Sequence, residues 1–100
     1  MKFGLTEKEI KAIQNVIRQF PQIKKVVIFG SRAMGNFKRG SDVDLAVMGK
    51  ADQELAPRVS GLLNEETTLP YRFDIVSYHS ISNVELKRHI DEKGMVFYEV

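Results

Sequence analysis

The stretch "VVIFGSRAMGNFKRGSDVDLAV", residues 26–47, leaves an apolar, strand-like run, crosses a glycine-containing basic segment and enters a second apolar run. At the mouth of that second run stand two carboxylates, Asp42 and Asp44. Ionised groups so near a core are unfavourable unless something pairs with them. At i and i+2 on a strand, both side chains leave one face, while Val43, Leu45 and Val47 take the core face. Adjacent carboxylates repel, and a divalent cation makes such a pair favourable. Oxygen-only ligands suit Mg²⁺ or Mn²⁺ rather than zinc. The alternative is a solvated strand edge carrying two aspartates by chance.

The other end of the stretch supports the cation. Gly30-Ser31 closes the first strand ahead of a possible helical turn, "SRAMG", and offers free backbone N–H groups, a hydroxyl and no Cβ at the glycine. Those are the elements of a phosphate cradle, although such a pair alone also makes a simple turn. Arg32, Lys38 and Arg39 add positive charge suited to a polyphosphate, and Ser41 adds a second hydroxyl beside Asp42. The Gly-Ser turn ends strand 1, and the aspartates begin strand 2. They share a site only if those strands run antiparallel, which the short connection permits. A mixed sheet follows.

Outward from this stretch, residues 6–20 read as an amphipathic helix. Thr6 and Glu9 form a capping box, Leu5 and Ile10 a hydrophobic staple, and Pro21 a stop. Strands are expected over 23–29, 43–49 and 71–78, and "MVFYEV" as a short edge strand. A weaker helix covers 52–64, with Pro57 early and Gly61 within. Ser82 and Glu85 suggest a capping box for a last helix to about Lys93, with Gly94 as C-cap. The fold class is α/β (α+β), a mixed sheet of three to four strands flanked by helices. A third carboxylate, Asp74 in "RFDIVS", sits among apolar neighbours and shares a face with Arg72 and Val76. It reads as a third metal ligand and general base, or as half of a pair with Arg72 or a lysine. Three carboxylates on adjacent strands could hold two cations flanking a phosphoryl group.

Composition bounds the rest. One hundred residues, 43% hydrophobic and 28% charged, without linker or repeat, point to one domain over 1–100 with no room for an acceptor lobe. The absence of cysteine excludes disulfides and thiolate zinc. No run nears the ~18 apolar residues of a membrane span, and the N-terminus lacks a signal-peptide pattern, so a cytoplasmic protein is expected. A net charge of +2 gives no bulk argument for direct nucleic-acid binding. His79 and His89 lack ligand spacing and read as surface or hydrogen-bonded residues. Tyr71, Phe73, Phe97 and Tyr98 read as packing, while Met34 and Phe37 could reach a nucleobase.

The combined motif G-S-x₁₀-D-x-D, here Gly30, Ser31, Asp42 and Asp44, resembles the signature of the DNA polymerase β-type nucleotidyltransferase superfamily. With "RFDIV" and the chain length it is similar to the minimal nucleotidyltransferase (MNT) group, over roughly residues 6–99. The resemblance implies that Gly30 and Ser31 bind the phosphates of a nucleoside triphosphate, ATP above all. It also implies that Asp42, Asp44 and Asp74 hold two Mg²⁺ or Mn²⁺ ions. The implied reaction moves a nucleoside monophosphate to an acceptor hydroxyl. The implied partner is a small helical HEPN-type protein, a toxin modified on tyrosine, with this chain as antitoxin. The contrasting reading is a non-catalytic module that binds nucleotide and neutralises its partner by contact. An aminoglycoside-type enzyme is disfavoured by the missing acceptor lobe.

Overall fold

A computed structural model describes residues 1–49 and 54–100. In chain order the elements are α1 (Glu7–Ile17), β1 (Ile23–Phe29), α2 (Ser31–Met34), β2 (Val43–Gly49), α3 (Leu55–Glu65), β3 (Phe73–Ser77), α4 (Val84–Lys93) and β4 (Met95–Glu99), with a 3₁₀ turn over Tyr78–Ser80. The strands form one sheet in the order β3-β2-β1-β4. β1 runs antiparallel to both β2 and β4, and β2 runs parallel to β3. The mixed sheet and the antiparallel β1–β2 pair are those expected from the need to bring Gly30 and Asp42 to one end.

Side-chain alternation divides the sheet between two cores. On one face Val26, Ile28, Val43, Leu45, Val47, Phe73 and Phe97 pack against Ile13 and Ile17 of α1 and Leu55, Val59 and Leu63 of α3. On the other, Val27, Phe29, Ala46 and Val76 pack against Leu86 and Ile90 of α4. The molecule is therefore three layers, helices–sheet–helix. Each fully buried aliphatic residue contributes on the order of 2 kcal/mol. Asp44 and Asp74 have the parity of Ala46 and Val76, so they fall on the α4 face, beyond its apolar part.

Local signals set the element ends. Thr6 caps α1, accepting the Glu9 N–H at 3.1 Å, while the Glu9 carboxylate accepts the Thr6 N–H at 2.8 Å. The last helix starts one residue later than Ser82 predicts: Asn83 is the cap, its side-chain oxygen accepting the Leu86 N–H at 3.0 Å. Asn83 lies three residues before that free N–H, the spacing a side-chain cap needs. Gly94 is the C-cap as expected, in an extended conformation. Tyr71 and Arg72 lie ahead of β3, and Tyr78 begins the 3₁₀ turn. The helix expected from position 52 is seen from Leu55, positions 52 and 53 lying outside the described residues. β4 is an edge strand whose register slips between Val26 and Val27 of its neighbour, and the Phe97 carbonyl accepts a bond from Gln14 Nε2 at 2.9 Å. A bulge and a side-chain contact of this kind blunt an edge against further pairing. No helix among the described residues is long and apolar enough to cross a membrane.

Thr6→Ala removes one half of the α1 capping box. It is expected to lower stability by about 1 kcal/mol in urea unfolding, with the denaturant slope unchanged.

Candidate active site

β1 ends at Phe29, whose partner across the antiparallel ladder is Asp44. The next residue, Gly30, has φ 76° and ψ −157°. That conformation is open to glycine and strained for L side chains. Space makes the same demand: a Cβ at Gly30 would run into Asp44 Oδ2. On its other side Asp44 is in register with Asp74 of the parallel strand β3. Asp44 is half-buried, and Asp42 and Asp74 are exposed. Burial pushes the Asp44 carboxyl up to about 6, and the charges of Asp74 and then Asp42 push the same way, against the opposing pull of His89 and Arg32. Among the described residues Asp42 and Asp74 have no ion-pair partner, so the pairing of Asp74 with Arg72 or a lysine is not formed. The sheet thus brings the three carboxylates to one end and leaves their repulsion unrelieved by any basic side chain in contact.

Beyond Gly30 the chain makes the single helical turn α2. The Met34 N–H donates to the Gly30 carbonyl at 3.2 Å, the Gly35 N–H donates to the Ser31 carbonyl at 2.9 Å, and Gly35 ends the turn with φ 84°. The first N–H groups of such a turn have no acceptor within it. Ser31 is half-buried beside them. The Gly30 N–H is held from outside the loop, donating to Nε2 of His89 on α4 at 3.0 Å.

Arg32 points inward, away from the exposed basic side chains of the loop. Its residue is 3% exposed. Nε and Nη2 donate to the Ser41 carbonyl at 3.1 and 2.8 Å, and Nη1 donates to the Phe3 carbonyl at 2.9 Å. The guanidinium lies over the rings of Tyr71 and Phe37, at 4.8 and 5.4 Å from their centroids. The Tyr71 hydroxyl in turn donates to the Glu9 carboxylate, 2.9 Å from Oε2. Gly4 makes room for this assembly, since a Cβ there would strike the Phe37 ring and come within 2.8 Å of Arg32 Nη1. Ser41 closes the loop: its Oγ accepts the Lys38 N–H at 2.8 Å and its N–H donates to the Lys38 carbonyl at 3.0 Å. Arg32 and Ser41 therefore clamp the residue directly before Asp42. Lys38, Arg39 and Met34 are exposed, while Phe37 turns its ring to Arg32.

Sequence reasoning missed two contributions here. The support of Arg32 by Phe3, Glu9 and Tyr71, and the bond from Gly30 to His89, join residues far apart in the chain. No local pattern announces either.

Divalent cations suit this donor set in chemistry and charge. Three carboxylates supply hard oxygen ligands, and Asp44 already feels the charges of the other two. Among the described residues no group of three or more acidic or imidazole side chains is gathered into a ready cage. The fit is thus one of donor type and charge, not of closed geometry. A groove of about 680 Å³ lies between α3 and the segment from β3 to the start of α4, lined by Ala56, Ser60, Val76, Ile81 and Leu86 among others. It contains none of the carboxylates, and its lining has no acidic, basic or imidazole side chain. The chemistry points to the open sheet end instead.

Residues 11–100 match the family described as "Polymerase beta, Nucleotidyltransferase". The chain is 27% identical over 103 residues to the Methanocaldococcus jannaschii protein named "Putative protein adenylyltransferase MJ0604", spanning 92% of this chain and 97% of that one. Among solved structures, a toxin–antitoxin with AMP-PNP superposes with a TM-score of 0.75 at 22% identity, over 91% of this chain and 73% of that one. The complex of a tri-AMPylated Shewanella oneidensis HEPN toxin with MNT antitoxin aligns with a TM-score of 0.60 at 20% identity, over 91% and 70%. At these identities the solved structures establish a shared fold.

The raised Asp44 carboxyl has a thermodynamic consequence. Its folded value, about 6, exceeds the ordinary 3.8, so the native state holds this proton more tightly than the unfolded chain. The stabilisation is complete below about pH 4 and is lost as pH rises through about 6. Asp44→Asn is expected to remove that loss, flattening stability between pH 4 and 6. At pH 7 it should stabilise the ligand-free protein by about 1 kcal/mol once solvent screening is allowed for. Urea unfolding at pH 4, 5, 6 and 7 measures both effects.

Proposed function

We propose, from the premise that this chain belongs to the polymerase beta nucleotidyltransferase family and is a nucleotidyltransferase, that it transfers AMP from ATP to a hydroxyl of a partner protein. The observation that carries this reading is the convergence of Asp44, Asp74 and Gly30 at one end of the sheet. A nucleotide donor needs free N–H and hydroxyl groups beside concentrated negative charge that a cation neutralises. In this reading Gly30 and Ser31 receive the triphosphate: the missing Cβ lets Asp44 lie directly against the turn, and the first N–H groups of α2 face the phosphates as donors. Asp42, Asp44 and Asp74 hold divalent cations, Mg²⁺ or Mn²⁺, two in number. Held there, such cations would supply positive charge to offset the phosphates and the leaving group.

The reaction balances simply. The acceptor oxygen forms a bond to the α-phosphorus, the bond from that phosphorus to the α–β bridging oxygen breaks, and pyrophosphate leaves. Asp74, exposed and without an ion-pair partner among the described residues, takes the hydroxyl proton. Asp42 is held in place through Ser41, whose carbonyl Arg32 grips from the buried side. Arg32, read from the chain as a phosphate contact, acts in this account by positioning the loop.

A protein acceptor is supported by the name of the archaeal relative. A HEPN-type partner that receives AMP is supported by the MNT–HEPN complexes that share the fold; in this reading the acceptor is a tyrosine and its modification silences the partner. In this reading a partner that is itself the acceptor completes the site.

The test is co-expression with a helical HEPN-type protein of the same host, followed by intact-mass analysis of that protein. One or more added AMP groups are expected with the wild type. With Asp42→Asn/Asp44→Asn none are expected, although the complex still forms. An unmodified partner that is nevertheless neutralised by both proteins would contradict transfer and favour a contact mechanism.

A further inference from the structure

We propose that His89 is a positioning residue for the nucleotide turn, its Nε2 fixing the Gly30 peptide in the conformation that sets the turn against Asp44. The consequence for ATP rests on the functional reading above. The bond itself does not.

Gly30 is the joint between β1 and α2, and its peptide departs from both. Having left the ladder at Phe29, its N–H requires a new acceptor. His89 supplies one at 3.0 Å across 59 residues of chain, with its ring edge-on to Phe29 at a centroid distance of 6.0 Å. Because the donor is a backbone amide, Nε2 must carry the lone pair and the ring proton must sit on Nδ1. The ring is well placed to hold this geometry. Its neighbour Ile90 is 2% exposed and locks α4 onto Val27, Phe29 and Ala46. Two residues on, Asp91 accepts the Tyr78 hydroxyl at 2.6 Å, and two residues back the Lys87 ammonium lies 4.9 Å from the Tyr78 ring centroid. α4 is therefore seated before any ligand arrives, and His89 carries that rigidity to the turn.

The Gly30 conformation is the one that matters for phosphate. Its φ of 76° starts α2 in the direction that leaves the first N–H groups open, and it sets the α-carbon against Asp44 Oδ2. Rotation of the Gly30 peptide would redirect both. Glycine reaches this conformation without strain but is not confined to it, so the surroundings must select it. Here the holding group is a side chain from a different layer of the fold, so the seating of α4 and the shape of the donor turn are coupled.

Two variants and one measurement on the unmodified protein test the assignment. His89→Leu keeps the packing against Phe29 and removes the acceptor, whereas His89→Gln returns an acceptor oxygen near the position of Nε2. In the leucine variant the Gly30 amide is expected to exchange with solvent at least tenfold faster. Binding of ATP with Mg²⁺ should weaken about tenfold by calorimetry, the loss expected for one deleted hydrogen bond. The glutamine variant should restore both quantities to within about threefold of the wild type. Unchanged exchange and affinity in the leucine variant would overturn the proposal, as would a glutamine variant no better than leucine. Should His89→Leu fail to fold, nitrogen NMR of the wild type decides. The Nδ1–H tautomer with a coupling to the Gly30 amide supports the bond, and the Nε2–H tautomer refutes it. A wild type that binds no ATP would overturn the functional reading, while the tautomer still decides the role of His89.

Discussion

Asp44 sits opposite Phe29 in an antiparallel ladder, beside Asp74 in a parallel one, and against a residue that must lack a Cβ. Everything else at this end of the molecule follows from holding one half-buried carboxylate in that position. Burial and two like-charged neighbours raise its carboxyl to about 6, so the site is electrostatically strained in the ligand-free protein. A stable scaffold would not choose this arrangement, because an apolar or neutral residue would pack there without repulsion. Its persistence makes sense where a cation and an anionic substrate relieve the strain, the usual relation between a functional site and local stability.

Two supports hold that strained end from opposite sides of the sheet. Arg32 works from the α1 side. Its charge is buried without a direct carboxylate contact and is satisfied instead by two main-chain carbonyls and two aromatic faces, with Glu9 reached through Tyr71. Removing one partner from such an assembly leaves buried donors or a buried charge unsatisfied, which is why it acts as a unit. His89 works from the α4 side and reaches the Gly30 amide. Between them they fix the residue before Asp42 and the residue beside Asp44. This end of the sheet is thus held from all three layers of a small fold.

Much of this was legible from the chain because the relevant physics is local. The Thr6–Glu9 box spans four residues, and its geometry follows from spacing alone. The antiparallel β1–β2 pair followed from a functional constraint, since Gly30 and Asp42 meet only in that topology. The start of the last helix was misread by one residue because Ser82 and Asn83 are both competent caps. Only the three-dimensional path decides which side chain faces the free N–H of Leu86. Arg32 was harder. Its charge and position beside Ser31 suggest a phosphate contact, and nothing nearby in sequence shows that Phe3, Tyr71 and Phe37 enclose it. His89 was harder still, because an imidazole on a polar helix announces a partner only when the turn it meets is in place.

The central claim is that the carboxylates and the Gly30-Ser31 turn form a metal-dependent donor site in this chain by itself. Calorimetric titration of ATP, with Mg²⁺ and with the metal chelated, tests it most directly. The account expects saturable binding to the wild type only when Mg²⁺ is present, and none to Asp42→Asn/Asp44→Asn with either. Equal binding with and without the metal, or binding retained by the double variant, would contradict it.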